Sequence, residues 1–516
     1  MSSDRALVTM ENTHEISGPP PERPINGSEA PANLLPKETL TQTPQKSTDR
    51  DATRYLSAAT QISITYAERV VTRVMNEPFR ALAPTYGVDV AVVTMWALKA
   101  LRTRALRDNI LAAICFLMIS VLVLTFLWPP GLFLFPLMLI AAWQVVSWEH
   151  WQRFFTTVTQ KMLRDRFDPG EAPAPHSQSD CTRLAEVAQR RDGNLVVFSG
   201  HSAFIGSGVK LGYQRILLDV SRGKEADDGT PRDPDGFTSE DLHKAIVRAF
   251  SHETGLGRSL ANIRVYERLF VNGLHIQEYG GLLLDPLRPP PASVDEEMLV
   301  AATLRPTPEA RTYVCVEMPG WQGQLVVTLF IRAVHTGDSL YIDWTFQVLP
   351  PLKDRFLVID KLYERSRARQ FRISLWAGLR QTIPALLKSP YQVLRTWRRP
   401  HGARRHQSRQ SRAIERGFVF DYGAQRSIRE DACGTQRRHY FLARDEKMYA
   451  LLAQQTLTRA IEIFLRDRNV DLGQFNEQVK IIFDNSIKVG DISNSTGVTV
   501  GDSSSTKVNG SSEGAK

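Results

Sequence analysis

The stretch Gly200–Gly212 (GHSAFIGSGVKLG) holds the residue types that could do chemistry. It follows an apolar run, and four of its residues are glycine. Glycine lets the backbone approach a ligand closely, and neighbouring N–H groups can hold a phosphate or another anion. The ligand-binding residues that we predict on this basis are Gly200, His201, Ser202, Gly206, Ser207 and Gly208.

The same stretch matches no nucleotide-binding or catalytic motif. It is neither G-x-x-x-x-G-K-[ST] nor G-x-G-x-x-G, and Gly200–Phe204 lacks the last glycine of G-x-S-x-G. A hairpin or irregular connection between strands is the favoured interpretation, and a ligand loop is the alternative. We assign no catalytic residue, and the sequence favours a role other than catalysis.

Neither the histidines nor the cysteines suggest a metal or cofactor. The eleven histidines include no H-E-x-x-H spacing, and the four cysteines form no C-x-x-C pair. Scattered single cysteines are typical of a reducing compartment such as the cytoplasm.

The elements that would position such a loop begin with two apolar runs, Ile110–Trp128 and Gly131–Trp148. Only Pro129 and Pro130 separate them, and neither run contains Asp, Glu, Lys or Arg. At 1.5 Å per residue each reaches about 27–29 Å, one hydrocarbon core. We predict a transmembrane helical hairpin; a buried core hairpin of a soluble protein is the disfavoured alternative.

Basic residues flank the hairpin on both sides. They are Lys99, Arg102, Arg104 and Arg107 before it, and Arg153, Lys161, Arg164 and Arg166 after it. By the positive-inside rule both ends, and therefore both termini, lie in the cytoplasm of a cell-membrane protein that spans the bilayer twice. The shorter run Val88–Leu101 is expected to be a packed or interfacial helix, with a third membrane element as the alternative.

A cytoplasmic α+β region with a mixed antiparallel sheet and helices is predicted after the hairpin. Tyr313–Met318, Gly323–Val334 and Ser339–Leu349 indicate a three-stranded antiparallel meander. Asn272-Gly273 between apolar runs predicts a further hairpin.

Positive charge is concentrated in residues 361–417. This segment holds fifteen Lys/Arg and two acidic residues, a net charge of +13, against +9 for the whole chain. Phe371–Leu394 has a helical apolar period and resembles an in-plane amphipathic helix. The basic residues that we expect at a membrane surface are Arg395, Arg398, Arg399, Arg404, Arg405, Arg409 and Arg412. Anionic lipid is the favoured partner and a solvated loop the main alternative, while nucleic acid is disfavoured.

The C-terminal tail contains an approximate repeat. Ile487–Asp491 returns as Val498–Asp502 and more weakly as Thr506–Gly510. Such short units predict either a flexible terminus or self-association by stacking. The tail resembles, over about twenty residues, the repeats of bacterial amyloid signalling motifs, which would imply a homo-oligomer formed through residues 484–510.

Several local sequences resemble those of uncharacterised actinobacterial integral membrane proteins. They are RYLSAATQ (Arg54–Gln61), AERVV (Ala67–Val71), FSGHSAFIGSG (Phe198–Gly208), ERLFVNG (Glu267–Gly273), LPPL (Leu349–Leu352) and FDYGAQRSIRE (Phe420–Glu430). The resemblance implies a membrane topology and no catalytic residue.

The expected organisation follows from these segments. In order it is a disordered tail (1–51), a helical region (52–109), the hairpin (110–148), a juxtamembrane helix and linker (149–193), the α+β domain (194–360), the amphipathic basic segment (361–417), a helical region (418–483) and the repeat tail (484–516). We expect a membrane-anchored scaffold or signalling protein that acts through self-association or a partner. A ligand-sensing or enzymatic domain that uses the Gly200–Gly212 loop is the alternative.

Overall fold

The computed structural model describes residues 46–124, 133–190, 193–224, 232–251, 263–362, 366–434 and 440–492. The predicted tails therefore lie largely outside the described residues. The main helices are α1 (Lys46–Ile62), α2 (Ile64–Met75), α3 (Val90–Leu124), α4 (Leu134–Trp151), α5 (Gln178–Gln189), α6 (Ser239–Ser251), α7 (Glu296–Leu304), α8 (Arg367–Glu415), α9 (Ile428–Ala432), α10 (Tyr440–Asp467) and α11 (Gly473–Ile492).

Six strands form one mixed sheet, so the α+β class predicted from the sequence is confirmed. The strands are β1 (Leu195–Phe198), β2 (Val209–Asp219), β3 (Arg264–Asn272), β4 (Ala310–Gly320), β5 (Leu325–Thr336) and β6 (Ser339–Leu349). Their order is β1-β3-β4-β5-β6-β2, with β1 and β3 parallel and all other neighbours antiparallel. The predicted meander is β4-β5-β6.

The larger core lies on one face of this sheet. Val316, Leu329 and Trp344 are fully buried there and pack in one cluster with Ile246 of α6 and Leu457 of α10. Alternation along each strand sends these side chains to one face, which we call the apolar face. The other face, which we call the polar face, carries charged residues such as Glu317 and Asp343 together with a smaller buried cluster that includes Phe270 and Phe330. Helices α6, α10 and α11 therefore cover the apolar face only.

A second core joins the helices that precede the sheet in sequence. Leu56 of α1, Val70 of α2 and Trp96 of α3 are buried together with Phe356 and Ile428 from much later in the chain. Residues near positions 350 and 430 thus complete a helical layer that begins near position 50.

Helix α3 combines a packed half with an apolar half. Val93, Trp96 and Ala100 are buried, so the run Val88–Leu101 is packed as predicted, and it continues without a break into the first apolar run. Among the described residues, α3 is the one helix long and apolar enough to cross a bilayer. Its most apolar 18 residues have a mean hydropathy of 2.0, and one third of them are buried. The two-proline turn lies outside the described residues.

Helix α8 is longer than the amphipathic helix predicted from its sequence. It continues through Pro384, Pro390 and the basic run as far as Glu415. The interpretation of the basic run as a loop is therefore wrong. Ser366 caps its first turn by accepting a hydrogen bond from the Arg369 N–H.

The hairpin predicted at Asn272-Gly273 is also wrong. Strand β3 ends at Asn272, and its antiparallel partner begins only at Ala310. Gly273 instead allows the backbone of residue 423 to approach closely, because a Cβ at Gly273 would lie 2.2 Å from the Gly423 nitrogen. Its N–H donates to the Phe198 carbonyl at 2.8 Å.

The outer edge of β2 is covered by glutamine side chains of α11. The Gln478 side chain accepts from the Leu217 N–H at 3.3 Å and donates to the Leu217 carbonyl at 2.7 Å. Gln474 accepts from the Asp219 N–H at 3.0 Å. Four residues of helix and two of strand both span roughly 6–7 Å, so the two side chains match the edge. This arrangement blocks pairing with another chain at that part of the edge.

We predict that Gln478→Leu lowers the free energy of unfolding by about 1–2 kcal/mol, because two hydrogen bonds to an otherwise unpaired strand edge are lost. The variant should also associate more readily. Chemical unfolding and light scattering in detergent measure the two effects. Gln455→Leu, at an exposed position on α10, is the control. Equal behaviour of the two variants would contradict the edge-capping role.

Candidate functional site

The glycine loop between β1 and β2 binds a carboxylate of the protein itself. The N–H groups of Gly206 and Gly208 donate to Glu430 Oε1 at 2.8 and 3.0 Å. Both glycines have a positive φ, of 90° and 92°. The loop thus holds an anion with its amides, and that anion is an internal side chain.

Both glycines are also required by close backbone contacts. A Cβ at Gly206 would lie 2.1 Å from the Pro84 carbonyl oxygen, and one at Gly208 would lie 2.2 Å from that of Val348. Any side chain would push the loop away from Glu430.

Around these glycines, the loop packs against the polar face of the sheet. Ser207 is fully buried, and its hydroxyl lies 3.1 Å from the Tyr86 hydroxyl. Phe204 stacks on Phe330 of β5 with ring centroids 4.1 Å apart. The middle of the loop therefore acts as packing between the sheet and the segment that precedes α3.

The predicted ligand-binding residues separate into two groups. Gly206, Ser207 and Gly208 are brought together around Glu430 and Tyr86, whereas Gly200, His201 and Ser202 are exposed at the start of the loop. Ser199, just before them, donates to the Asp421 carboxylate. In the described part of the chain, no group of three or more His, Cys, Asp or Glu side chains is placed to hold a metal ion.

Glu430 belongs to the short helix α9, whose three consecutive charged residues bind four separate segments of the protein. Arg429 is buried and donates to the carbonyls of Tyr86, at 2.5 Å, and Gly323. Asp431 pairs with Arg73 of α2. Sequence reasoning missed this helix, although S-x-x-E at Ser427–Glu430 is a capping-box signal.

The polar face of the sheet carries buried ionisable groups. Asp343 of β6 lies in register between Arg332 of β5 and Arg215 of β2 and is largely buried. Burial raises the pKa of its carboxyl group, and the nearby Arg332 and Arg311 oppose that rise. Tyr266 donates to Glu317 on the same face.

The predicted membrane-surface arginines are all exposed on α8, but two of them contact the protein. Arg399 pairs with Glu68 of α2 at 2.8 Å, and Arg395 lies 3.9 Å from the same carboxylate. Arg398, Arg404, Arg405, Arg409 and Arg412 project from the same helix with their side chains exposed.

Three helices expose large apolar side chains that we call the apolar surface. Each of these side chains is between 39% and 75% exposed. They are Phe116, Leu117, Ile119, Leu122, Val123 and Leu124 of α3, Leu134, Leu137, Leu139 and Ile140 of α4, and Trp376, Leu379, Ile383, Leu387, Tyr391, Leu394 and Trp397 of α8.

A buried set of charges, the ion cluster, lies at the base of the apolar surface. Arg107 Nη2 is 2.5 Å from Asp108 Oδ1, and Arg107 Nη1 is 3.7 Å from Glu149 Oε2 on α4. Arg153 Nε is 2.7 Å from Glu149 Oε1, and Arg104 Nε is 3.5 Å from Asp108 Oδ2. The cluster stands immediately before Ile110 and after Trp148, the ends of the two apolar runs.

We predict that Glu430→Gln lowers the free energy of unfolding by about 1–3 kcal/mol, since an amide NH₂ then faces backbone N–H donors. Because Glu430 Oε2 also accepts from the Ser427 N–H at 2.9 Å, amide exchange should become faster either at Gly206 and Gly208 or at Ser427. Chemical unfolding and amide exchange by mass spectrometry measure these effects.

Glu415→Gln, at an exposed position at the end of α8, is the matched control and should change stability by less than about 0.5 kcal/mol. Unchanged exchange at Gly206, Gly208 and Ser427 together in Glu430→Gln would contradict the carboxylate–amide contacts.

Comparison with known proteins yields one match. No curated protein and no solved structure matches the chain. The family model described as AbeC-like domain matches residues 215–499, from β2 to beyond α11 and so more than half of the 516 residues. It includes most of the sheet, α8 and the Glu430 helix, but neither the glycine loop nor α3 and α4. The chain therefore belongs to the AbeC-like domain family.

Proposed function

We propose that this protein is a membrane-anchored scaffold or signalling protein whose α+β domain lies on the cytoplasmic side. The apolar surface of α3, α4 and α8 is the observation that carries the proposal. Soluble proteins rarely leave a contiguous apolar surface of more than a few hundred Å² exposed to water, so long apolar side chains on three helices indicate contact with lipid.

Helices α3 and α4 would form the spanning hairpin, with both ends on one side of the bilayer. Arg107 and Glu149 pair at their base, and one turn further on Leu111 is buried with Ala142 and Val146. Charges at the two ends of uncharged runs suit the boundary between lipid and water. The proposed localisation is the cell membrane, with two spans and both termini in the cytoplasm.

Helix α8 would lie against the base of this hairpin at the membrane surface. Leu386 packs with Leu111, and Ser374 contacts His150 at 3.2 Å. Leu111 and His150 are close in sequence to the ion cluster. The outward side of α8 presents the apolar stripe from Trp376 to Trp397 beside arginines. Such a helix favours anionic lipid as the bilayer component that it contacts.

Several features favour a binding role over catalysis. Two amides of the glycine loop are engaged by Glu430, so they do not present an open anion site. Burial raises the pKa of the Cys315 thiol to about 12, which keeps this cysteine protonated and unreactive. The proposed activity is therefore the recruitment of a partner or of further copies of the chain.

We predict that a double substitution, Leu117→Lys with Leu137→Lys, releases the protein from membranes. Each lysine at the centre of a spanning helix costs about 2.5–3.5 kcal/mol of insertion free energy. The measurement is the fraction that stays in the membrane pellet after alkaline carbonate extraction.

The matched control carries the same two changes at Leu274 and Leu284, exposed leucines of the sheet domain. It should stay in the pellet as the wild type does. Retention of the Leu117→Lys/Leu137→Lys variant at the wild-type level would refute the anchor.

The self-association proposal rests on the tail repeat. Its first copy, Ile487–Asp491, lies in the last turns of α11 and is helical, and the other two copies lie outside the described residues. The resemblance to amyloid signalling motifs supports this proposal, and the resemblance to actinobacterial membrane proteins supports only the membrane topology; both resemblances stay predictions.

Truncation after Ile492 should reduce the oligomer mass while leaving α11 intact. Light scattering coupled to size-exclusion chromatography in detergent measures this. A full-length variant with Val498→Ser and Val500→Ser tests the repeat without shortening the chain. An unchanged mass in both proteins would exclude the tail as the self-association element.

A further inference from the structure

Arg268 of β3 is a buried cation with no anionic partner in the described part of the chain. It is 9% exposed, and no described carboxylate lies within 4.0 Å of its guanidinium group. Its Nη1 donates to the Tyr86 hydroxyl at 3.3 Å, and its Nε has no hydrogen-bond acceptor among the described residues. The rings of Tyr86 and Tyr266 flank it at 5.6 and 4.4 Å.

Other buried arginines of this protein have carboxylates or backbone carbonyls as hydrogen-bond or ion-pair partners. Arg54 pairs with Asp360 at 2.9 Å, Arg107 pairs with Asp108, and Arg429 donates to two backbone carbonyls. A buried charge needs such partners, because it has lost its hydration. A phenol hydroxyl and two ring faces offset only part of that loss for Arg268.

Arg268 lines a cleft that could supply the missing anion. The cleft has a volume of about 150 Å³. Its walls are residues 81–85, the first turn of α3, the end of α5 and residues 290–292. This places Arg268 at the junction of the sheet and the helical layer.

The described lining of the cleft has a net positive charge. Among these residues the ionisable ones are Arg268, Arg190 and Asp89. The Asp89 carboxylate is engaged at the start of α3, where Oδ1 accepts from the Val92 N–H at 3.1 Å. The rest of the lining is mainly apolar, with Leu82, Val187 and Val197 among it.

We infer that this cleft binds a small organic anion, a carboxylate on an apolar body of about the size of benzoate. A cavity of roughly 150 Å³ accommodates one benzene molecule, which sets the size of the body. The planar carboxylate suits a guanidinium group, which can donate two parallel hydrogen bonds to it. The inference does not rest on membrane anchoring or on self-association.

The test uses the full-length protein in detergent and sodium benzoate as the probe. Isothermal titration should show benzoate binding to the wild type and binding at least about tenfold weaker to Arg268→Met, because a charge-assisted hydrogen-bonded pair is lost. The unliganded variant should unfold at the same temperature as the wild type or higher, since an uncompensated buried charge has been removed. This distinguishes loss of binding from loss of folding.

A second pair of variants tests the cleft with Arg268 in place. Ala188 lines the cleft on α5, and Ala185 is exposed on the same helix outside it. Ala188→Trp should abolish benzoate binding, and Ala185→Trp should leave it unchanged. Equal affinity of these two variants would overturn the location.

Inorganic phosphate forms the other arm of the experiment. Binding of phosphate without benzoate would overturn the assignment to a carboxylate with an apolar body. Equal binding of benzoate to the wild type and to Arg268→Met, or no benzoate binding to the wild type at millimolar concentration, would overturn the site.

Discussion

The three charges of α9 are the interaction on which the arrangement of this protein depends. Glu430 holds the glycine loop, Arg429 holds the backbone at Tyr86 and Gly323, and Asp431 holds α2 through Arg73. The five-residue helix α9 thus contacts both the sheet and the helical layer. Since buried charges are stable only with well-placed partners, each of these contacts fixes the position of the others.

The ion cluster has the corresponding role for the helices that carry the apolar surface. Arg107 and Glu149 hold α3 beside α4 where the uncharged runs begin. Helix α8 joins the same region through Leu386 and reaches α2 through Arg399 and Glu68. The helical layer therefore contacts the sheet through α9 and continues into α3, α4 and α8, which carry the apolar surface.

The sequence predicted those parts of the fold that residues close together in the chain determine. The meander β4-β5-β6 follows from short turns between alternating strands, and the apolar stripe of α8 follows from its helical period. The length of α8 could not be predicted, because prolines and a dense basic run argue for a break. The hairpin prediction at Asn272-Gly273 was wrong because the glycine is needed for close contact with Gly423, which lies 150 residues away.

The candidate site was predictable only as a loop that binds an anion. The partner of that loop, Glu430, follows it by more than 220 residues, and no spacing rule links two such distant segments. The covering of the β2 edge by Gln474 and Gln478 is equally invisible in the sequence, because a glutamine pair on a helix has no distinguishing pattern. Both depend on tertiary structure that only the folded chain supplies.

The glycine loop, the α9 helix and the Arg268 cleft form one continuous structure. Glu430 fixes Gly206 against Pro84, and Ser207 contacts the Tyr86 hydroxyl to which Arg268 donates. Residues 81–85 are thereby held as part of the cleft lining, which also includes the first turn of α3. That helix is 35 residues long, about 52 Å, and its other half carries the apolar surface. An occupant of the cleft would therefore contact the start of the same helix that we propose to cross the membrane, and this helix would connect the sheet domain directly to the bilayer.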